Sequence, residues 1–566
     1  MSDAKSSPVL RLLPSLTDVA FLLPIVFLFA PLNGVKSMLG DGDTGYHIRA
    51  GEWILANGRV PDRDIFSFTK AGEPWFAWEW LWDAGFAWLH QCGGLAAVVL
   101  VSLLVIGLTF ALLFRLARRR CGNPLLAISV TLLAVAASSI HWLARPHVFS
   151  WLFLVIFLGL LERVSEGRFR LLWWLPPLTV LWTNLHGGFF LGIVLVLSYA
   201  AGELTSWLID ADPSVRRRAL GRSRPFLLAG VGCLAASFVN PYFYRLHKHI
   251  CAYLTDTYHL GNIAEFQSLS FRHPTAPYFE AIAALGAMGI LWSLWRRRYA
   301  HAILLGGFLH GALLAKRNIP VFVILAAPII ALCLDEVLKR IERATVADWI
   351  RRATRSFTDL AAEFATMDRG WRLHVTSVAA FALLCVLVDA PSAPGKLRGE
   401  YDSRGYPAKA VQMLRALDPS ERIFTGDEWG DYVIYRLYPE RKVFIDGRSD
   451  FYGARFSDKY IDVMNVKLGW EEHLNRYGVE AILLPVETPL GAALKESRRW
   501  CVVYDDSVAI IFRTVDSLRR DPGAPAGRTQ VSAAGNRDGS NRGREVAQMK
   551  HRDPRITNLK LRSEPL

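Results

Sequence analysis

The sequence predicts a polytopic α-helical membrane protein of about 11 transmembrane helices followed by a soluble α/β domain. Three observations lead there. Apolar runs of about 17–20 residues, long enough to cross a bilayer as helices, recur through the first two thirds of the chain. The 566 residues are 52% hydrophobic and only 20% charged, with 19 Trp and 31 Phe. Beyond about Lys396, short apolar runs alternate with amphipathic stretches, the pattern of strands and helices in a small sheet domain.

Taken in order, residues 1–16 are polar, and the apolar run after them has no small-x-small cleavage site, which reads as an uncleaved first helix. The spans lie near 17–36, 94–115, 124–141, 148–162, 171–187, 188–208, 225–240, 277–295, 299–315, 319–335 and 373–390. Alternate connections are basic: Arg118 to Arg120, Arg163 with Arg168 and Arg170, Arg216 to Arg218, Arg296 to Arg298, and Lys339 to Arg372. Basic loops stay cytoplasmic, so the N-terminus is expected inside. The connections 37–93, 142–147, 241–276 and 316–318 face outward, and an odd span count puts everything after Asp389 outside. The two spans meeting at His186 have a very short polar boundary. A re-entrant unit there would flip the C-terminal side unless another span is miscounted as well. The net charge of +14 follows this topology rather than a nucleic-acid surface. Seven scattered Cys form no CxxC pair and specify neither a metal site nor a disulfide framework. Leu338, Ile341, Trp349, Phe357, Leu360 and Phe364 are spaced for a helix lying on the inner leaflet.

In the C-terminal part, strands are expected at 422–425, 442–446 and 481–484, with a hairpin over 502–511 turning at 505–507. Helices are expected over 430–438, 457–466, 469–477 and 490–499. The loop after 442–446 carries Asp446, Arg448 and Asp450 beyond a strand's C-terminal end, where open sheets bind ligands; Asp and Gly are equally ordinary turn residues. The domains are therefore 1–395, transmembrane with an outer loop at 37–93 and juxtamembrane helices; 396–518, the α/β domain; and 519–566, a basic tail expected to be disordered.

Chemistry concentrates in the first outer loop. Gly40-Asp-Gly-Asp-Thr-Gly-Tyr-His47 places two carboxylates where a helix leaves the bilayer, and charge there turns to water, a partner or a cavity. A helix cap and turn explain Asp41 well; Asp43 has His47 four residues on, on one helical face. Outside the expected basic side lie Arg145 and His147 in Ala-Arg-Pro-His, and Lys316 and Arg317 in Lys-Arg-Asn-Ile-Pro. They suit an anion held at outer helix ends, or snorkelling to headgroups. His186 suits a cavity wall or an interhelical hydrogen bond. Trp75, Trp78 and Trp80 suit sugar faces or an interfacial belt. Glu79 and Glu265 are further carboxylates in outer segments.

Six motifs carry a resemblance. They are Asp43/His47/Gly51, Gly58/Pro61/Asp64/Phe66/Ser67, Pro74/Trp75/Glu79/Trp80/Leu81, Trp182-Thr-Asn-Leu-His-Gly-Gly188, Asn240-Pro-Tyr242 and Arg317-Asn-Ile-Pro320. With the architecture, they resemble the GT-C membrane glycosyltransferases: the protein O-mannosyltransferases, the aminoarabinose transferases of lipid A, the core galacturonosyltransferases, and above all a bacterial group of multi-pass proteins related to them. The resemblance spans nearly the whole chain. It implies a GT-C-like fold in a bacterial inner membrane, with the C-terminal domain extracytoplasmic. It also implies transfer of a sugar from a polyprenyl-phosphate donor to an extracytoplasmic acceptor. Such transfer needs a carboxylate to take the acceptor proton, for which Asp43 is the first candidate, Asp41 the second, and His47 their neighbour. It needs a cation for the phosphate, drawn from Arg145, His147, Lys316 and Arg317, with His186 as a candidate for the cavity wall and Glu79 for a second carboxylate. Many superfamily members have Asp-Glu at the motif, whereas Thr44 follows Asp43 here. The cofactor is thus left open, with a divalent cation as the candidate. Two other classes remain: a transporter or flippase for a lipid-linked glycan, and an inactive scaffold. The acids cluster in a loop rather than at mid-membrane, which favours the enzyme.

Overall fold

The structure is a computed structural model that describes residues 11–368, 372–388, 390 and 393–520. Of the expected tail, residues 519 and 520 end the short helix Val515–Arg520, and the rest lies outside the described residues, as do residues 1–10.

Helix α1 (Leu16–Phe29) begins at Ser15, whose hydroxyl accepts the Asp18 amide (3.2 Å) while the Asp18 carboxylate accepts the Ser15 amide (2.8 Å). This reciprocal cap satisfies two otherwise unpaired donors. After a turn at Gly34–Leu39 comes α2 (Asp43–Asn57), stopped by Gly58 at a φ of 63°. Helix α3 (Trp80–Cys121) breaks at Gly93 and Gly94, so that its first turns cross α2 and its remainder forms a long apolar helix. The crossing is tight. A Cβ on Gly51 would lie 2.7 Å from that of Ala87 and closer still to the Asp83 main chain.

The bundle continues with α4 (Pro124–Ser138), α5 (His147–Ser165), α6 (Leu175–Leu185), α7 (Phe190–Ile209) and α8 (Pro213–Ser237). Helices α9 (Tyr244–Thr255) and α10 (Thr257–Asn262) occupy the next loop. They are followed by α11 (Ala276–Trp295), α12 (Tyr299–Leu314), α13 (Ile319–Arg343), α14 (Asp348–Met367) and α15 (Val375–Val388). Each expected span coincides with a helix, and six are long and apolar enough to cross a membrane: those in α3, α4, α5, α7, α11 and α13. The chain is a multi-pass membrane protein. Helices α1, α12 and α15 are apolar but have only 14, 16 and 14 residues, and α6 has 11. Every residue of α13 from 319 to 331 is buried, which makes it the bundle's inner helix, apolar on all sides. The expected inner-leaflet helix is interrupted: α13 carries Leu338 and Ile341 to its end at Arg343, and α14 resumes at Asp348, with Trp349, Leu360 and Phe364 exposed.

The C-terminal part contains α16 (Ala408–Ala416), β1 (Arg422–Thr425), α17 (Asp427–Leu437), α18 (Ser449–Tyr452), α19 (Ala454–Met464), α20 (Trp470–Arg476), β2 (Val479–Pro485), α21 (Pro489–Glu496), β3 (Trp500–Asp505) and β4 (Ala509–Thr514). The sheet order is β1-β2-β4-β3; β1 and β2 are parallel, and the other neighbours are antiparallel. The expected strand at 442–446 does not form. Val443 makes only isolated bridges, to Ser67 and to Ile423. Its amide and carbonyl are taken by the outer loop, through Phe66 O and Phe68 N at 3.0 Å each. Thr69 Oγ1 donates to Phe444 O (2.6 Å) and Arg49 Nε to Tyr435 O (2.8 Å). The sheet is thereby stitched to the outer loop.

Candidate functional site

Asp43 is the first residue of α2, and Asp41 stands just before it with Oδ1 accepting the Asp43 amide (2.8 Å). Asp41 thus makes the expected turn and still faces a partner. Arg145, between α4 and α5, places Nη1 2.8 Å from Asp41 Oδ2 and Nη2 on Asp43. Its loop is fixed to the same motif: the Ala144 amide donates to Met38 O (2.8 Å), and Thr44 Oγ1 donates to Ala144 O (3.2 Å). Glu265, in the turn Ala264–Phe266, lies 4.0 Å from Arg145 and 2.8 Å from Arg317 Nη1, with His141 Nε2 at 3.6 Å. Burial raises the Glu265 carboxyl, but Arg317, Arg145, His141 and Lys316 outweigh it and hold the carboxyl at about 2. At Asp43 burial wins: with Asp41 and Glu265 adding to it against Arg145, the carboxyl is raised well above the usual range.

A second group lies on the other side of Tyr46. His47 Nδ1 is 2.7 Å from Asp83 Oδ1, and its Nε2 is 3.4 Å from Glu79. His186 Nε2 approaches the other Glu79 oxygen at 3.5 Å. His186 Nδ1 accepts from the Gly188 amide (3.0 Å) and meets Ser150 Oγ (2.7 Å), which itself accepts Trp182 Nε1 (2.7 Å). With Nδ1 accepting, the proton of neutral His186 sits on Nε2, toward Glu79. Burial lifts Glu79 to about 7 and lowers His47 to about 4. The result is a row of titratable groups, Asp83, His47, Glu79 and His186, with a hydrogen bond between the first two and contacts of 3.4 and 3.5 Å joining the others.

The expected residues therefore fall into two sets. Asp41, Asp43, Arg145 and Arg317 join through Glu265, and Lys316 adds its charge there. His47, Glu79 and His186 form the second row. His147 goes elsewhere, with Nε2 on the His141 carbonyl (3.0 Å) and its ring against Trp151. Trp80 binds Asn184 (2.7 Å), Trp75 lies under Arg448, and Trp78 packs edge-on to His249.

Sequence reasoning passed over Asp83 and Asp431. Asp431, on α17, is fully buried within hydrogen-bond reach of Asp43, and its two oxygens accept the Gly447 amide at 3.1 and 3.0 Å. An aspartate inside the apolar run Trp429 to Ile434 was the available signal. Gly447 is required there: a Cβ would lie 2.6 Å from an Asp431 oxygen and closer to Asp43. The loop beyond 442–446 is structural at Asp446 and Arg448. Arg448 bridges Asp446 and Asp64 (2.7 Å each), all three being fully buried. Asp450 pairs with His249 (2.8 Å).

A divalent cation does not fit this donor set. The Arg145 guanidinium occupies the place between Asp41 and Asp43, and Thr44 stands at the position that would carry a second motif carboxylate. Among the described residues no group of three or more His, Cys, Asp or Glu side chains is arranged to hold a metal ion.

The fold is similar to that of membrane glycosyltransferases with the GT-C fold. The archaeal oligosaccharyltransferase AglB from Archaeoglobus fulgidus, solved with an inhibitory peptide and a dolichol-phosphate, matches with a TM-score of 0.52 over 87% of this chain and 73% of that one, at 14% identity. An oligosaccharyltransferase of the same organism in complex with zinc and sulfate gives 0.49 over 88% and 73%, at 13% identity. ArnT from Cupriavidus metallidurans in the apo state gives 0.40 over 89% and 98%, at 17% identity. No protein-family pattern and no curated sequence matches the chain. At these identities the likeness speaks for the fold alone.

Proposed function

We propose that this protein is a membrane glycosyltransferase that moves a sugar from a polyprenyl-phosphate donor to an extracytoplasmic acceptor hydroxyl or amine. The observation that carries it is the run Asp43, Arg145, Glu265, Arg317: a carboxylate held by one guanidinium, and a second carboxylate between that guanidinium and another. Glu265 sits where an anion meets two forks at once, the arrangement a lipid phosphate would use. AglB was solved with a dolichol-phosphate, which agrees with such a donor.

In this reading Asp43 takes the acceptor proton as the new bond to the anomeric carbon forms. The bond from that carbon to the phosphate oxygen breaks, and the electron pair leaves with the polyprenyl phosphate. Arg317, Lys316 and Arg145 offset the charge growing on that phosphate. The row of His47, Glu79 and His186 accepts or returns protons beside the site. The eleven-span topology belongs to the same proposal, with residues 1–395 in the membrane and 396–518 outside. The hydrogen bonds joining the sheet to loop 37–93 support a common side for both. Reporters fused before residue 10 and after residue 520 are expected to respond from opposite compartments. The activity test is sugar transfer from synthetic polyprenyl-phosphate donors by the full chain in liposomes, with Asp43→Asn as the negative control; failure of every lipid-phosphate donor would defeat the reading.

A further inference from the structure

Two carboxyl groups in contact within a buried site do not both ionise unless something pays the repulsion, and a shared proton is the simplest resolution. Asp43 and Asp431 are such a pair, contributed by α2 and α17, with Gly447 closing over both. Resting on the proposed transfer reaction, we infer that Asp431 is the proton-holding partner of Asp43. Asp431 carries the shared proton and donates it in a hydrogen bond to the Asp43 carboxylate. The C-terminal domain thereby supplies a working residue of the catalytic centre.

The direction of sharing follows from the neighbours. Asp43 bears the Arg145 guanidinium, a charge-assisted contact roughly twice as strong as a neutral one. Among the described residues Asp431 has the Gly447 amide and no cation, and it faces Asp446, which is taken by Arg448. Negative charge therefore rests on Asp43 and the proton on Asp431. The other groups bearing on the pair are Asp41, Glu265 and Tyr46 on the Asp43 side, and Tyr401 on the Asp431 side. Burial raises both carboxyls in the same sense. Functionally, the partner fixes one Asp43 oxygen and Arg145 the other, so the carboxylate that receives the acceptor proton cannot rotate. Asp431 is thus a positioning residue.

The test compares Asp431→Asn, Asp431→Ala and Asp43→Asn in the full chain, reading transfer against pH and, independently of any substrate, the infrared carbonyl band of protonated carboxyl groups. Asparagine keeps a donor toward Asp43 and has no proton to lose. Asp431→Asn is therefore expected within about tenfold of wild type at neutral pH and without the wild-type alkaline decline. Asp431→Ala, which leaves Asp43 short of a partner, falls roughly 10- to 100-fold further. The difference spectrum of wild type minus Asp431→Asn at neutral pH shows a protonated-carboxyl band, the Glu79 signal being common to both proteins. Loss of activity in Asp431→Asn as complete as in Asp43→Asn would overturn the proposal by making Asp431 the base. Wild-type activity and an intact alkaline limb in both Asp431 variants would overturn it by making the contact structural. Absence of the band difference would overturn it even if no donor is turned over, whereas absence of transfer with the band difference present would defeat only the glycosyltransferase reading.

Discussion

The molecule contains the same triad twice, an arginine between two aspartates, one of them always from the outer loop. In Asp64–Arg448–Asp446 every side chain is sealed and both carboxylates are supplied, while Arg448 Nη1 stays without a hydrogen bond among the described residues. Asp64 accepts the amides of Phe66 (3.2 Å) and Ser67 (3.0 Å) and the Ser67 hydroxyl (2.7 Å), while Asp446 accepts the Arg448 amide (3.1 Å) and the Tyr452 hydroxyl (2.8 Å). Phe66, Trp75 and Phe451 pack on the guanidinium. In Asp41–Arg145–Asp43 the supply is thinner: Asp41 accepts the Asp43 amide (2.8 Å), but two further carboxyls crowd in, and all three side chains remain partly accessible. A satisfied buried ion group rigidifies; an under-supplied, carboxyl-rich one stores the polarity that chemistry uses. The first triad joins sheet to loop, and the second is what that joint positions.

The sharpest way to break the comparison is to neutralise one charged group in each. Asp43→Asn is expected to lower transfer by on the order of 100- to 10,000-fold with unfolding in detergent unchanged, as measured by initial rates beside a melting curve. Arg448→Met should do the reverse. Stripping the shared cation from two buried carboxylates costs about 3–5 kcal/mol of stability, and the surviving folded protein keeps its specific rate. An Arg448→Met protein that melts like wild type would erase the distinction. A smaller effect is expected for Arg145→Lys, which keeps the charge but loses the fork across Asp41 and Asp43: roughly 10- to 100-fold in transfer, and little in stability. Equal activity of the lysine variant would mean that the charge suffices and the fork is not used.

The smallest expected effect is on pH dependence. Glu79, raised to about 7 from an ordinary 4.5, keeps a proton in the fold that the unfolded chain has already released. Its contribution to stability is full below about pH 4.5 and is lost as pH rises to about 7. His47, lowered to about 4 from 6.5, acts oppositely: its penalty disappears as pH rises from about 4 to 6.5. Wild type should show the balance of the two. Glu79→Gln should retain only the rise, so that the difference between the melting curves grows through pH 5 to 7. Curves that stay parallel would remove Glu79 from the titrating set.

Much of the fold was legible because membrane helices obey a one-dimensional rule. Apolar length and the side of the arginines place α3, α4, α5, α7, α11 and α13 without reference to neighbours. The strand at 442–446 failed for the opposite reason: its partner was not in the sheet but in loop 66–68, almost 400 positions away. The site divides the same way. Asp43, Arg145 and Arg317 could be singled out because charge at the end of an apolar helix is conspicuous, and Asp41 because Asp-Gly-Asp is visible as a turn. His147 carried the same signal and was turned to a carbonyl instead, a choice that only packing makes.

By itself, then, the sequence determined the membrane class, the positions of six long apolar helices and loop 37–93 as a place where polar groups gather, because hydrophobic burial depends on local runs of residues. Which acid touches which base was decided by the tertiary structure alone. Asp431 reaches Asp43 and Arg448 reaches Asp64 only after a sheet domain docks on a loop from the other end of the chain, and Asp83 reaches His47 only where α3 crosses α2. Electrostatic pairing acts over a few ångströms of space, and no spacing along the chain records it.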